Sequence, residues 1–333
     1  MSAFPATIAR TRTSVSPEEA QTLVASGAFV LDVRSRRRFE EDGHIPGAVL
    51  LPAEALASAP AVVPEDGRQI LVVCERGARS RQVATLLADA GIPRASHLEG
   101  GMVRWPGSRE HIGVAPAGPS LWLLSNALLA PAGARTLDVA CGRGRHALLL
   151  ASAGNSVRAI DRDPSRVERL RAIARGLRLP LDAEVVDVER GAVSLGQDDW
   201  ELILVFNFVS RSLFPALACA LRPGGILICE SFTREHAERY GRPSRTEHLL
   251  EPGELVSLVA PLEVVRQREG ELDGSYLASV AARKRWPSRK VASNQQKDAP
   301  SVAAAPASQK RPAHATAAGS RARGQRTPGA RKR

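Results

Sequence analysis

The apolar run Ile70-Leu-Val-Val73 ends on Cys74. The residues Cys74-Glu-Arg-Gly-Ala-Arg79-Ser80 then lead directly into Arg81-Gln-Val-Ala-Thr-Leu-Leu-Ala-Asp-Ala90, whose apolar positions recur at helical spacing before Gly91. A buried strand therefore delivers a cysteine into a short, glycine-containing loop that ends on an arginine at a helix N-terminus. The loop N–H groups, the positive end of the helix dipole and the forked charge of Arg79 make an anion cradle, with Arg76 as a second cation beside it. The same field is expected to lower the Cys74 thiol below its usual value of about 8.5, giving a reactive thiolate. An isolated cysteine at a strand end is more often a small core residue. Here the flanking residues reverse those odds.

Upstream stand Leu31-Asp32-Val33-Arg34 and Gly43-His44-Ile45-Pro46-Gly47-Ala48; downstream stands His97-Leu-Glu-Gly-Gly-Met-Val-Arg-Trp105. With the cysteine loop these four motifs, in order, resemble the rhodanese family over residues 10–107. The resemblance implies an α/β domain whose Cys74 carries a persulfide, with Asp32 and Arg34 holding the loop from the neighbouring strand end. Four residues separate Cys74 from Arg79, the loop length rhodaneses use for sulfur transfer; the related phosphatases use five. Glu75 runs against the pattern, because a carboxylate beside an anion site weakens binding of thiosulfate-like donors. Arg76 offsets it in part.

The 333 residues suit two ordinary domains. The net charge of +11 suggests nucleic acid until it is located. Residues 284–333 hold 13 Lys and Arg against one Asp, and residues 1–283 hold 33 against 34 acids, so the tail carries the whole excess. That tail has no Leu, Ile or Phe, cannot bury a core, and is expected to be disordered. Four cysteines without a C-x-x-C pair or a His/Cys cluster argue against zinc and against a disulfide framework. No apolar run approaches the roughly 18 residues of a membrane span, and the N-terminus lacks an apolar leader; a cytoplasmic protein with reduced thiols is expected.

Ser16-Pro17-Glu18-Glu19 opens the first helix and Gly27 closes it. Strand, loop and helix signals alternate to Trp105, as α/β folding requires. The stretch Pro106 to Pro119, rich in Gly, Pro and small residues, reads as the interdomain connection, with the linker at 108–116. A second alternating series fills 117–283.

In that second series, Arg135-Thr-Leu-Asp138-Val-Ala140-Cys141-Gly142-Arg-Gly144-Arg-His-Ala147 follows a strand pattern and opens a helix. The glycines permit a tight turn, so a ligand can sit on the helix N-terminus. The next strand, Ser156–Ile160, ends at Asp161 and Arg162, and Asp161 is placed to accept both ribose hydroxyls of a nucleoside. A nicotinamide dinucleotide predicts the same acid, and Ala147 permits its third small residue. Three features favour S-adenosylmethionine. Asp138, inside the first strand, can take a cationic amino end; Asp187, followed by Val188, suits an adenine amine; and a terminal hairpin, Leu262–Gln267 with Ser275–Ala282, closes the domain. The region resembles the class I methyltransferases over 117–283, which implies a mostly parallel seven-stranded Rossmann-like sheet. Trp200-Glu-Leu-Ile-Leu-Val-Phe206-Asn207-Phe208 and Leu221-Arg-Pro-Gly-Gly225 continue the family order, with Phe206 and Asn207 at the strand end that faces the methyl acceptor. Phe206-Asn207-Phe208 is not the Asn-Pro-Pro-Tyr signature of amino-group methylases. The nearest resemblance is to small bacterial methyltransferases of the tellurite-resistance and thiol-methylating type.

The polar segment Phe232 to His248 is placed to cover an acceptor pocket. Arg234 and His236 head a set, with Arg239, Arg242, Arg245 and His248, suited to an anionic acceptor; a solvated loop with Glu235, Glu238 and Glu247 in ion pairs is the equal alternative. Cys219 and Cys229 fall in apolar patterns and read as core. Cys141 reads as a backbone contact to the ligand, chosen for size.

The leading expectation is a soluble bifunctional enzyme: a sulfane-sulfur carrier on Cys74 fused to an S-adenosylmethionine-dependent methyltransferase. Its acceptor would be a thiol, a sulfur or chalcogen anion or another small molecule, its first domain would take a sulfane-sulfur donor, and no metal is implied. Two alternatives stand beside it. The first domain acts as a sensor or docking module without turnover, or the acceptor is RNA delivered by the basic tail. One aromatic residue in the tail, Trp286, limits that tail to weak, nonspecific nucleic-acid binding.

Overall fold

The computed structural model describes residues 14–113, 116–190, 193–272 and 274–287. Within them two parallel-sheet systems follow one another. The first comprises β1 (Ser14–Val15), α1 (Pro17–Ala25), β2 (Phe29–Asp32), α2 (Arg36–Glu41), β3 (Val49–Leu50), a 3₁₀ segment Ala53–Ser58, α3 (Ala59–Val62), β4 (Ile70–Val73), α4 (Ala78–Asp89) and β5 (Ala95–Leu98). Its sheet order is β1-β5-β4-β2-β3 and every pairing is parallel. The strands are short and buried on both faces: Ile70, Leu71, Val72 and Val73 are all fully enclosed, as a sheet covered by helices demands. Entry to α1 is fixed by a capping box: the Ser16 amide donates to the Glu19 carboxylate at 2.8 Å, and the Glu19 amide donates to the Ser16 hydroxyl at 3.2 Å.

The second system comprises α5 (Leu121–Asn126), β6 (Arg135–Val139), α6 (Arg145–Ser152), β7 (Ser156–Asp161), α7 (Pro164–Gly176), β8 (Leu181–Val185) and β9 (Trp200–Phe206). It continues through α8 (Phe214–Ala220), β10 (Leu221–Phe232), α9 (Arg234–Tyr240), α10 (Glu254–Leu258), β11 (Glu263–Leu272) and β12 (Ser275–Arg283). Sheet order is β11-β12-β10-β9-β6-β7-β8, with β12 antiparallel to both of its neighbours and the other pairings parallel. The expected seven-stranded sheet with a terminal hairpin is therefore present. Leu137, Val139, Ile203, Val205 and Leu227 pack on one face, and Leu202, Leu204, Ile226 and Ile228 on the other. Each such side chain contributes about 1.5–3 kcal/mol of burial. None of the described helices is long and apolar enough to cross a membrane.

Two expectations need correction. Residues 181–188, whose pattern reads as one strand, form a strand only as far as Val185; beyond it Asp187 accepts the amide of Glu189 at 3.0 Å. Cys219 is exposed: α8 turns Phe214, Leu217, Ala218 and Ala220 inward and Cys219 outward. Residues 108–113, at the start of the stretch read as the linker, lie against the first domain. Glu110 pairs with His44 in both backbone directions at 2.9 Å and accepts the Gly47 amide at 2.7 Å, and Arg109 donates to the Asp42 carbonyl. At its other end the connection is also tied down, with the Ala117 amide donating to Leu50 at 2.7 Å. The basic tail beyond Pro287 lies outside the described residues.

Candidate active site

In both sheets the chain reverses its winding direction between two neighbouring strands, and the crevice beyond the carboxyl ends of such strands is where α/β proteins hold ligands. In the first sheet those strands are β2 and β4. Cys74 follows β4, and Gly77 at φ +93° turns the chain into α4. Cys74 is 4 % exposed, and its Sγ receives the amides of Gly77 at 3.2 Å and Ser80 at 3.3 Å, with the Ser80 hydroxyl also 3.3 Å away. Negative charge on this sulfur, or on a second sulfur attached to it, would meet the dipoles of two backbone N–H groups.

The glycine pair of the downstream motif explains itself here. A Cβ on Gly101 would lie 2.3 Å from the Cys74 carbonyl oxygen, and the Met102 amide donates to that oxygen at 2.8 Å. Only glycine lets this turn clamp the cysteine loop from behind. The cations are placed less tightly than expected. Arg79 is exposed and donates to the Val33 carbonyl at 3.4 Å, and Arg76 makes no polar contact among the described residues. Asp32 and Arg34 form a buried pair, Nη2 to Oδ2 at 2.7 Å, but Arg34 turns away from the cysteine loop to the Gly43 carbonyl at 2.8 Å. Their link to the loop is through backbone: the Val33 amide donates to Val73 at 2.9 Å.

In the second sheet the winding reverses between β6 and β9, and a cavity of about 630 Å³ opens there. It is lined by Asp138, Ala140, Cys141, Gly142, Asp161, Arg162, Asp187, Val188, Phe206 and Asn207, all named from the sequence. Gly144 lies at the turn into α6 rather than on the wall; at φ +78° its missing Cβ position is 2.5 Å from Leu170. Asp161 accepts the Gly142 amide at 2.8 Å and the Asp163 amide at 3.0 Å. Asp187 lines the cavity with both oxygens engaged: Oδ1 accepts the Glu189 amide at 3.0 Å and Oδ2 meets Arg190 at 3.4 Å.

Asp138 is 1 % exposed and its Oδ2 has no hydrogen-bond partner. Burial pushes its carboxyl up to about 7, with the nearby Arg145 guanidinium pulling the other way. A buried, unsatisfied carboxylate is costly unless a donor or a cation completes it. Cys141 is no nucleophile: burial drives its thiol far up, and the charges of Asp138 and Asp161 add to that.

Arg234 and His236 do not reach this cavity. Arg234 is held by Glu251, and His236 is buried, accepts the Tyr276 amide at 3.2 Å and stacks on Phe232 at 4.4 Å. Farther along the same segment, Pro243, Ser244, Arg245 and His248 do line it. Sequence reasoning passed over Arg145, His146, Phe208 and Glu189. His146 packs at a tilt against Phe206, ring centroids 4.2 Å apart, and accepts the Ser120 amide at 3.1 Å, and burial lowers its pKa well below the usual value. Arg145 makes no hydrogen bond among the described residues. It also lines a second cavity, of about 160 Å³, that shares Asn207 and Phe232 with the first. Among the described residues no cluster of His, Cys, Asp and Glu is placed to hold a metal ion.

Fold and sites together define a two-domain α/β protein, one domain presenting a cysteine loop and the other a cavity beyond the carboxyl ends of β6 and β9. Residues 16–107 match the family model of the rhodanese-like domain, and residues 136–225 that of the methyltransferase domain. A thiosulfate sulfurtransferase GlpE of Pseudomonas savastanoi pv. phaseolicola is 33% identical over 91 residues, 27% of this chain and 84% of that protein. Hemagglutinin 1 of Eikenella corrodens is 35% identical over 95 residues; the match takes in 27% of this chain and only 32% of that protein. Among solved structures, a SAM-dependent methyltransferase of Methanosarcina mazei aligns with TM-score 0.43 and 20% identity over 51% of this chain and 100% of its own. TehB from Haemophilus influenzae aligns with TM-score 0.42 and 18% identity, over 49% and 61%. The chain belongs to the rhodanese family through its first domain and carries a methyltransferase domain as its second.

Proposed function

We propose that the protein is an S-adenosylmethionine-dependent methyltransferase whose first domain carries sulfane sulfur on Cys74. The observation that carries the methyl-donor reading is Asp138: a buried carboxylate with an orphaned oxygen, set in a cavity that also presents Asp161, Asp187 and Glu189. The residues fit the donor. Asp138 would hold its ammonium group, Asp161 its ribose hydroxyls and Asp187 its adenine amine. Bound there, S-adenosylmethionine supplies an electrophilic methyl group. The protein's own part is positional: the glycine turn lets backbone approach the ligand, Phe206 and Phe208 wall off water, and Asn207 stands at the acceptor side.

The acceptor is a small thiol or anion. The adjoining cavity is small, and the unpaired guanidinium of Arg145 faces both spaces. Sulfur loading rests on the two amides directed at Cys74 Sγ and on kinship to a sulfurtransferase. A docking role without turnover has one observation in its favour, the Glu75 carboxylate beside the loop with a buried, unpartnered Oε2. Calorimetry with S-adenosylmethionine and NAD, followed by labelled methyl transfer to panels of small thiols, chalcogen oxyanions and RNA, tests the assignment. Heat for NAD alone overturns the methyltransferase reading. Labelling of RNA alone makes the tail, not the small cavity, the acceptor site.

A further inference from the structure

The donor cavity is not built by the methyltransferase domain alone. Ala61, on α3 of the first domain, lines it and belongs to the same apolar cluster as Trp122, Leu148 and Leu204 of the second. Arg143 stands in the glycine turn between Gly142 and Gly144, both at positive φ. Its side chain crosses to the first domain, where Nη2 donates to the Val63 carbonyl and Nε lies 3.0 Å from Glu65 Oε1. Arg169 on α7 approaches the same Glu65 oxygen at 3.3 Å. On the first domain's own side, Arg94 secures the segment by donating to the carbonyls of Pro64 and Arg68. The two domains also meet backbone to backbone, since a Cβ on Gly176 would lie 2.3 Å from the Asp89 carbonyl.

The turn is closed by the Gly144 amide on the Cys141 carbonyl at 2.9 Å and held at Gly142 by Asp161, but its two glycines lose more conformational freedom on ordering than any other residue. Anchoring Arg143 orders the turn before a ligand arrives, so that cost is not taken from binding. Glu65 is what makes the anchor work. Without it, Arg143 and Arg169 face each other as like charges and Arg143 is driven off the Val63 carbonyl.

We infer that residues 61–65 of the rhodanese-like domain are part of the methyl-donor site, with Ala61 as a wall and Glu65 as a positioning residue acting through Arg143. This rests on the reading of the large cavity as the donor site. It means that the affinity for S-adenosylmethionine is set across the domain boundary, so the fusion is functional at this site whatever the first domain transfers.

The test uses the full chain and calorimetry with S-adenosylmethionine, with thermal unfolding as a check on folding. Glu65→Ala and Arg143→Ala should each weaken binding about two- to fivefold, the range of a partly exposed ion pair. The double variant should bind no more weakly than Arg143→Ala, because both changes remove one coupling. Glu65→Asp should recover part of the loss. Glu168→Ala, which removes exposed ion pairs with Arg171 and Arg175 on α7 and leaves Glu65 and Arg143 untouched, should change nothing. Ala61→Leu, which extends a side chain into the cavity, should weaken binding about fivefold or more. Unchanged affinity in Glu65→Ala and in Ala61→Leu, or additive losses in the double variant, overturns the inference while leaving the donor site standing. No binding by the unaltered protein overturns the donor reading itself, and the inference with it.

Discussion

Asp161 Oδ2 accepts the amide of Gly142 at 2.8 Å, so the end of β7 holds the glycine turn that follows β6. The same carboxylate is offered to the ligand from the cavity wall, which gives it two tasks at once. Its second oxygen binds the Asp163 amide at 3.0 Å, and that contact fixes the rotamer. A side chain held from both ends presents its remaining lone pairs in one direction.

Asp161→Ala should therefore weaken S-adenosylmethionine binding by about 1.5–3 kcal/mol, the scale for hydrogen bonds to a charged group. Asp161→Asn keeps one acceptor but sets an amide donor near a backbone N–H, and should fall between alanine and the native residue. Titration calorimetry on the three proteins gives the order directly. Equal affinities would remove Asp161 from the ligand's contacts.

Asp138 makes binding depend on pH. Its carboxyl sits at about 7 in the folded protein against 3.8 for an ordinary Asp, so the ligand-free site holds a proton well above the range where an exposed Asp loses it. Folding stability is then fully present below pH 3.8 and falls as pH rises toward 7, because the folded state binds the extra proton in that window. Ligand binding runs the other way. A cationic ammonium needs the ionised carboxylate, so affinity should rise about tenfold per pH unit below 7 and level off above it. Asp138→Asn should flatten both dependences and weaken binding at pH 8. Affinity independent of pH between 5 and 8 in the native protein would rule out Asp138 as the ammonium partner.

Much of both sites is legible in the sequence because each depends on local spacing. The cysteine loop, the Gly43–Ala48 turn and the glycine turn at Cys141–Gly144 are contiguous, and their backbone demands show directly as residue types. Gly101 is the clearest case: the clash its Cβ would make with Cys74 is why the downstream motif carries a glycine pair. The errors share a different cause. Arg234 and His236 stand in a polar run whose direction nothing local specifies; an ion pair with Glu251 and a bond from Tyr276 turn them away from the cavity. The Arg143–Glu65 pair joins residues 78 positions apart, with no periodicity to announce it. Cys219 falls on the outer side of α8, between the buried Ala218 and Ala220, a side that an unbroken apolar pattern does not mark.

Cys74→Ser should abolish sulfur loading and leave S-adenosylmethionine binding unchanged, since Cys74 does not line the donor cavity. Intact-mass and peptide mass spectrometry after exposure to thiosulfate or a persulfide checks it. Added sulfur on Cys74 is the expected result. Cys219 is the internal control, being exposed but without amides directed at its sulfur. Sulfur on Cys219 alone, or none on either, would leave the first domain as a docking module.

Truncation of the basic tail separates its charge from the fold, provided the cut is placed correctly. Lys284 donates its amide to Gly225 at 2.9 Å and reaches Asp198 at 2.8 Å, so the chain is still tied to the folded body just past β12 and the cut belongs beyond Pro287. Removing residues 288–333 takes away 11 Lys and Arg and one Asp, +10 in all, and leaves a chain near neutrality. Any affinity for RNA or DNA should collapse, because it rests on counterion release by the lost cations rather than on a shaped site. Fluorescence anisotropy at two salt concentrations should show a steep salt slope in the full chain and none after truncation. Donor binding and sulfur loading should both persist, since the described walls of the donor cavity and the described contacts to Cys74 Sγ are supplied from within residues 14–287. Loss of methyl transfer to the acceptor found in the panel, with donor binding intact, would instead show that the tail delivers the acceptor, and a nucleic-acid substrate would replace the small thiol or anion.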